Sequence, residues 1–472
     1  MSQERERTPT DERVADERSG ERPAIERYYE RTERSREYYE EACEYMPGGS
    51  TRGVLYYDPY PAYVESGSGP RLTDVDGNEY LDFLNNYTSL IHGHAPEEIT
   101  EAGIEAARRG SAPGGPTREE IDWAKHLVER APAVDQLRFT NSGTEAMMNA
   151  IRAARAYTGQ DAVAKFEGVY HGTHDDVQVS VHPPTHLAGP REDPKAVPDS
   201  AGVPESTVDD VVVLPFNDAD TAVEKLQDNR DRLGGIMLAP MMGTSVVPAT
   251  DSFLEAIQTY AHDHDIPLIL DEVVSFRLAH GGAHDAFDLD PDLVAYGKVI
   301  GGGFPVGAFG GRRDIMADYD PRGGGADIVH SGTFNANPVT AAAGLAALER
   351  FSTDEVARLN RLTEDLADRA RDVIDDHGLD IQVNQVGSLF KIYLTSEPVT
   401  DYRSAHASPT DLERTIFMEL LTEGIRLAPK LMGCLSTPMG EDEVDEFIAA
   451  FDTALGRVRS DIEMSTPQLL AD

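Results

Sequence analysis

The sequence predicts an α/β fold, a mostly parallel central sheet covered by helices, with a smaller α+β domain built from the two chain ends. Three observations carry that expectation. Over residues 95–345, short apolar runs alternate with amphipathic helical patterns, the rhythm of strand–helix–strand crossovers. Beyond about residue 350, long helical stretches surround a few strand-like segments. At 472 residues and 40% hydrophobic content, the chain is long enough for two or three domains with buried cores.

The elements follow in order. Residues 1–24 are rich in Arg and Glu with almost no apolar side chains, so this tail is expected to be disordered. A helix is expected over 25–45, stopped by Pro47-Gly48-Gly49. Strands are expected at 56–64 and 71–83, the latter turning at Asp76-Gly77 as a hairpin. This N-terminal segment, 25–94, is expected to join the small domain formed by 346–472. Within the large domain, 95–345, strands are expected at 137–140, 162–166, 211–214, 235–238, 267–270 and 293–296. Helices are expected there at 145–157, 220–226 and 252–263. Residues 189–206 are rich in Pro, Gly and charge, and are expected to form a long loop, which reads as a lid over the site or as a surface excursion. Small-domain strands are expected at 381–383 and 389–394.

Composition narrows the function. With 84 acidic against 42 basic residues the net charge is −42, which repels nucleic acid and anionic membranes, so neither is expected as a partner. The lysines are Lys125, Lys165, Lys195, Lys225, Lys298, Lys391 and Lys430. Acid excess with arginine in place of lysine suits a halophilic cytoplasm, where counter-ions screen self-repulsion. No run approaches eighteen apolar residues, and the Met1-Ser2-Gln3-Glu4-Arg5 start has no apolar core of a secretory signal, so a cytoplasmic protein is expected. Cys43 and Cys434 match no metal-ligand spacing and read as ordinary thiols; no metal site is expected.

In an open α/β sheet ligands sit at the carboxyl ends of the strands, and the informative residues fall there. Asn141-Ser142-Gly143-Thr144-Glu145-Ala146 follows a strand and opens a helix. Unpaired N–H groups at a helix start suit a phosphate, with Ser142 and Thr144 adding hydroxyls and Gly143 allowing close approach; the same residue types also make ordinary N-caps. Asp271 ends the apolar run Ile266-Pro267-Leu268-Ile269-Leu270. A carboxylate there needs a partner, and it reads as a structural ion pair, a turn cap, a metal ligand, a general base or the partner of a buried cation. Lys298 also follows a strand, beside Gly297 and ahead of Gly301-Gly302-Gly303. It reads either as a surface lysine or as a Schiff-base lysine, whose amine must be partly desolvated to stay neutral. An aspartate paired with such a lysine suits pyridoxal 5'-phosphate (PLP), because the acid keeps the ring nitrogen protonated and the ring becomes an electron sink. Tyr170 reads as core or as a stacking platform for a flat ring; His171 beside it reads as structural rather than catalytic.

Together these segments resemble the class III PLP-dependent aminotransferases, and within them the glutamate-1-semialdehyde 2,1-aminomutase-like subgroup, over about residues 40–460. The carriers are Met46-Pro47-Gly48-Gly49, Asp74-Val75-Asp76-Gly77, residues 141–146, Phe166-Glu167-Gly168-Val169-Tyr170-His171-Gly172, Asp271-Glu272-Val273, residues 297–303 and Ser331-Gly332-Thr333. The resemblance implies the PLP-dependent transferase fold type I and a homodimer with shared active sites. Carried over, Ser142, Gly143 and Thr144 hold the phosphate, Tyr170 stacks on the ring and Asp271 faces the pyridine nitrogen. Val273 packs behind the ring, Lys298 is the Schiff-base residue and proton carrier, and Thr333 reaches the phosphate of the neighbouring subunit. Arg52 stands where relatives keep a basic residue for the substrate carboxylate, a task that suits its bidentate fork.

Departures from the family bear on the substrate. Ala239-Pro240 replaces Glu-Pro, Gly243-Thr244 replaces Gly-Asn, and Asp271-Glu272-Val273-Val274-Ser275-Phe276-Arg277 is one residue shorter than the family's run. Lys430, in Leu427-Ala428-Pro429-Lys430, stands where β-amino-acid transaminases of this group have arginine, and reads as a carboxylate-binding charge or an idle surface lysine. These features point to a transaminase that moves an amino group between an amino acid, with β-amino acids among the candidates, and a keto acid or aldehyde. The alternative is an intramolecular amino transfer, as in glutamate-1-semialdehyde 2,1-aminomutase. A catalytically silent PLP-fold protein would have been indicated by loss of Lys298 or Asp271. A dinucleotide-binding enzyme would need a glycine-rich turn after the first strand, whereas Gly301-Gly302-Gly303 comes late and is followed by Pro305.

Overall fold

A computed structural model describes residues 22–322 and 324–471. Seven strands form the central sheet, in the order Gln136–Thr140, Gly307–Gly311, Leu293–Gly297, Leu268–Asp271, Leu233–Leu238, Ala162–Phe166, Val211–Leu214. All neighbours pair in parallel except Gly307–Gly311, which runs antiparallel to both strands beside it. The parallel strands from Ala162–Phe166 to Leu293–Gly297 are buried at every position, as continuous apolar runs covered on both faces must be. On one face, Met147, Ala150, Ile151 and Ala154 of helix Gly143–Thr158 pack on Val163, Met237, Ile269 and Leu293. Fully burying such a Val, Ile or Met contributes about 1.5–3 kcal/mol. Elsewhere Trp123 lies flat on Phe139, ring centroids 4.0 Å apart.

Two smaller sheets complete the fold. One runs Val64–Ser68, Arg71–Asp74, Glu79–Asp82 and Ile425–Arg426, so the two ends of the chain share a sheet. The other is Gln382–Val386, Leu389–Tyr393 and Met432–Cys434, all antiparallel. The Asp76-Gly77 turn closes as expected: Asp74 Oδ1 accepts from the N–H groups of Asp76 and Asn78 at 3.0 and 2.8 Å, and Gly77 takes φ 87°. Among the described residues no helix is long and apolar enough to cross a membrane.

Several expectations are corrected. The helix of 25–45 is two helices, Arg22–Arg31 and Glu33–Tyr45, broken at Thr32 (φ −131°, ψ 41°). Thr32 Oγ1 donates to Tyr28 O at 2.6 Å and lies 3.0 Å from Tyr60 Oη, which anchors the break in a tyrosine cluster. Residues 56–63 form no strand, because Pro59 and Pro61 have no N–H to give a ladder; their tyrosines pack instead, Tyr57 edge-on to Phe417 at 5.0 Å. Strand Gly307–Gly311 escapes the apolar pattern because three of its five residues are glycine. They are needed: a Cβ on Gly307 would stand 2.0 Å from Ser142 O. The loop at 189–206 ends in a short helix, Glu205–Asp209. The expected disorder of 1–24 falls almost wholly outside the described residues, and 22–24 belong to the first helix.

Candidate active site

Four chain segments leave the carboxyl edge of the sheet and meet around one cavity of about 560 Å³. Strand Gln136–Thr140 delivers Asn141, Ser142, Gly143 and Thr144; Ala162–Phe166 leads to Tyr170, His171 and Gly172; Leu268–Asp271 ends in Asp271 with Val273 beyond; Leu293–Gly297 leads into Lys298. All of these line the cavity, as does Arg52. Lys298 directly follows the strand in the left-handed region, φ 51°, a conformation costly for a residue with a Cβ and characteristic of functional sites.

The cavity's electrostatics centre on Lys298. Burial pulls its pKa down from 10.5 to about 8, against the opposing pull of Asp271, and Arg277 and Arg52 lower it further. Among the described residues nothing hydrogen-bonds its Nζ. Asp271 is 8% exposed. Its Oδ2 accepts from His171 Nδ1 at 2.7 Å and its Oδ1 from Val273 N at 2.9 Å. His171, read as structural from sequence, therefore holds the carboxylate in place, while its own Nε2 has no partner. A hundred residues separate the two, so local spacing gives no signal of the pair. The next residue, Glu272, is wholly buried and tied to His284 Nδ1 at 2.8 Å and to the N–H groups of Ala283 and His284, a second carboxylate–histidine pair the sequence did not reveal.

The helix start carries two hydroxyls. Ser142 Oγ caps helix Gly143–Thr158 by accepting from Glu145 N at 3.2 Å, and Thr144 Oγ1 accepts from Thr173 N at 3.2 Å. A Cβ on Gly143 would come within 3.0 Å of both Val273 methyls, and one on Gly297 within 3.2 Å of Val273 Cγ1. Val273 is thus wedged between two glycines that leave it room. Tyr170 is 53% exposed with its ring against the cavity, and burial together with Asp271 raises its pKa. Arg52 donates to Asn86 Oδ1 and lies over the Tyr87 ring at 5.8 Å. Asn86 sits in a strained left-handed turn, with φ 46°, 51°, 53° and 73° at Asn85, Asn86, Tyr87 and Thr88. Wholly buried Arg277 secures that turn through Thr88 O at 3.3 Å, Ser388 Oγ at 2.8 Å and Leu435 O.

Two predicted site residues lie elsewhere. Thr333 is exposed and does not line this chain's cavity. Lys430 is also exposed and outside it: the turn buries Leu427, Ala428 and Leu431 and leaves the lysine facing outward, near His182, Lys391 and Glu413. No residue of the 189–206 loop lines the cavity either. Its ion pairs are Arg191–Asp401 and Lys225–Asp193, the latter at 2.6 Å.

A buried amine whose pKa is lowered to about 8, a histidine-paired carboxylate, a helix start with two hydroxyls and an exposed aromatic ring fit pyridoxal phosphate group by group. Comparison with known proteins decides the family: the model of the class-III aminotransferases matches residues 55–439. The chain belongs to the class III aminotransferases. It is 37% identical over 430 residues to the glutamate-1-semialdehyde 2,1-aminomutase of Methanosphaera stadtmanae, covering 90% of this chain and 99% of the relative. An omega-transaminase from Sphaerobacter thermophilus is 44% identical, with TM-score 0.87 and coverage of 90% of this chain and 98% of that one. A β-phenylalanine aminotransferase from Variovorax paradoxus is 34% identical, with TM-score 0.85 and coverage of 93% and 98%. The class III chain is accordingly a PLP-dependent enzyme with the aminotransferase α/β fold.

Proposed function

We propose that this class III enzyme is a transaminase that moves an amino group between an amino acid and a keto acid or aldehyde. The observation that carries the reading is the meeting of Lys298, with an amine near pKa 8 and no hydrogen bond among the described residues, and histidine-paired Asp271 in one cavity. When bound, pyridoxal phosphate supplies an aldehyde that condenses with amines and a ring that takes up the electron pair of a broken C–H bond. Ser142, Gly143 and Thr144 hold its phosphate, and Tyr170 stacks on one face of the ring while Val273 packs behind it. Asp271, steadied by His171, keeps a proton on the ring nitrogen. Lys298 is the covalent anchor. Its amine, when neutral and free, would take the proton from the substrate carbon and hold it for return across the imine nitrogen. Arg52 binds the substrate carboxylate through its fork; Lys430, facing outward, takes no part in that reading.

Resemblance to an omega-transaminase and to a β-phenylalanine aminotransferase supports intermolecular transfer, with β-amino acids among the donors. A second reading, an intramolecular aminomutase, is favoured by the curated relatives of that name. Assays with a panel of α- and β-amino acids and pyruvate or 2-oxoglutarate separate them. Ping-pong turnover with two substrates supports the transaminase; turnover of glutamate-1-semialdehyde alone, with no keto product from any donor, overturns it.

The reading extends to a homodimer in which Thr333 reaches the partner's phosphate site, in a halophilic cytoplasm that screens the net charge of −42. Exposed Val329 and Phe334, at 79% and 57%, flank Thr333 and support a covered surface there. The pairing of Ile425–Arg426 with Glu79–Asp82 supports joining 25–94 to a small domain at 346–472, around a large domain at 95–345.

A further inference from the structure

A chain of side chains leads from outside the cavity to Asn141, the residue just before the helix start. Arg138 Nε donates to His330 Nδ1 at 3.0 Å, His330 Nε2 lies 3.3 Å from the Asn335 amide, and that amide lies 2.8 Å from the Asn141 amide. The histidine is well seated: its ring meets Phe309 edge-on at 5.3 Å and Tyr319 at 6.1 Å, and Arg138 lies over Tyr319 at 5.6 Å. Arg138 Nη1 also donates to Tyr319 O at 3.0 Å.

The direction of these bonds follows from donor chemistry. Guanidinium nitrogens only donate, so His330 Nδ1 must accept, and a neutral imidazole then carries its proton on Nε2. Burial, with Arg138 and Arg152 close by, lowers the His330 pKa and favours that neutral ring. With Asn335 Nδ2 3.3 Å from Nε2 and Asn141 Nδ2 donating to Asn335 Oδ1 at 2.8 Å, two N–H groups face each other at the histidine; Nε2–H requires an acceptor, so both amides are assigned the other way round, Asn335 giving its oxygen to Nε2–H and its NH₂ to Asn141. Asn141 in turn accepts through its oxygen, which leaves its own NH₂ free. Amide oxygen and nitrogen are interchangeable in shape, and such networks assign them. Among the described residues the far end of the Asn141 amide bonds no protein group, and Asn141 lines the cavity beside Ser142.

We propose that Arg138, His330 and Asn335 are positioning residues that orient the Asn141 amide so that its NH₂ donates to a phosphate held at the start of helix Gly143–Thr158. The inference rests on the cofactor reading above and adds to it a donor, Asn141, and the relay that aims it. Without the relay the amide is free to present either its oxygen or its nitrogen to a dianion, and the oxygen repels. The same relay steadies the Thr333 segment, because Gly332 packs directly on the Asn335 amide: a Cβ there would stand 2.3 and 2.7 Å from its two terminal atoms.

The test compares pyridoxal phosphate with pyridoxal, which lacks the phosphate, in reconstituting protein from which cofactor has been removed; affinities are read from the visible absorption of the bound aldehyde. His330→Leu should weaken pyridoxal phosphate about tenfold and leave pyridoxal unchanged, the scale of a hydrogen bond to a charged group. His330→Gln, which can accept at one end and donate at the other, should restore most of the loss, as filling space alone would not. If His330→Leu does not fold, Asn335→Leu breaks the relay one bond nearer the cavity with the same expectation. A fall in both affinities together, or no change in their ratio, overturns the relay. Thr144→Val is the companion measurement. If it lowers the ratio while the relay variants do not, the inference fails alone; if it too leaves the ratio unchanged, the phosphate assignment itself is wrong.

Discussion

Lys298 should react with an aldehyde near pH 8, far below the range of an ordinary lysine. Its pKa is held down from 10.5 to about 8, chiefly by burial. Only the neutral amine is a nucleophile. At pH 8 a group of pKa 8 is half neutral, whereas one of pKa 10.5 is neutral in roughly 0.3% of molecules, so the advantage is roughly 150-fold. The sign is fixed: the rate climbs as pH rises toward 8 and levels off above it. Asp271 is the foremost influence opposing burial, so Asp271→Asn should move the inflection lower still and speed the reaction at neutral pH. The assay is stopped-flow mixing of cofactor-free protein with pyridoxal over pH 6–11, divided at each pH by the rate per neutral amine of Nα-acetyl-lysine, which removes the aldehyde's own titration and leaves that of Lys298. An inflection near 10.5 in the wild type, or one that rises in Asp271→Asn, refutes the electrostatic account.

Three other outcomes follow from the structure. His171→Ala leaves Asp271 with only the Val273 N–H; losing a hydrogen bond to a charged group of about 1.5–3 kcal/mol should lower kcat roughly 10- to 150-fold, with KM much less affected. Gly143→Ala presses a methyl to 3.0 Å from both Val273 methyls and should weaken cofactor binding, and Val273→Ala in the same chain should recover it, a coupling read from the double-mutant cycle. With a net charge of −42, the melting temperature should rise steeply as KCl is raised from millimolar to molar; a Tm independent of salt would contradict the halophilic reading.

The large domain was legible because its strands are buried on both faces and so appear as unbroken apolar runs. Ala162–Phe166 and Val211–Leu214 match the expected limits, and Leu268–Asp271 and Leu293–Gly297 lie within a residue of them. Gly307–Gly311 was invisible, because the close approach of Ser142 and Asp292 that demands glycine there removes the strand's hydrophobic signature. In the site, Asp271 and Lys298 stood out since each ends or follows an apolar run with nothing nearby to neutralise it. His171 and the Arg138–His330–Asn335–Asn141 relay did not stand out, because the His171–Asp271, Arg138–His330 and Asn335–Asn141 links join residues a hundred or more positions apart. The outward turn of Lys430 depends on which neighbours the chain buries, and no motif records that.

The covalent anchor admits one direct measurement. Holoenzyme reduced with borohydride and digested should carry the phosphopyridoxyl mass on the peptide holding Lys298, and Lys298→Ala should lose both the label and the yellow colour. The other lysines, including the wholly buried Lys165, serve as internal controls. A label on any of them instead, or a wild type that stays colourless and unlabelled after incubation with pyridoxal phosphate, contradicts the account.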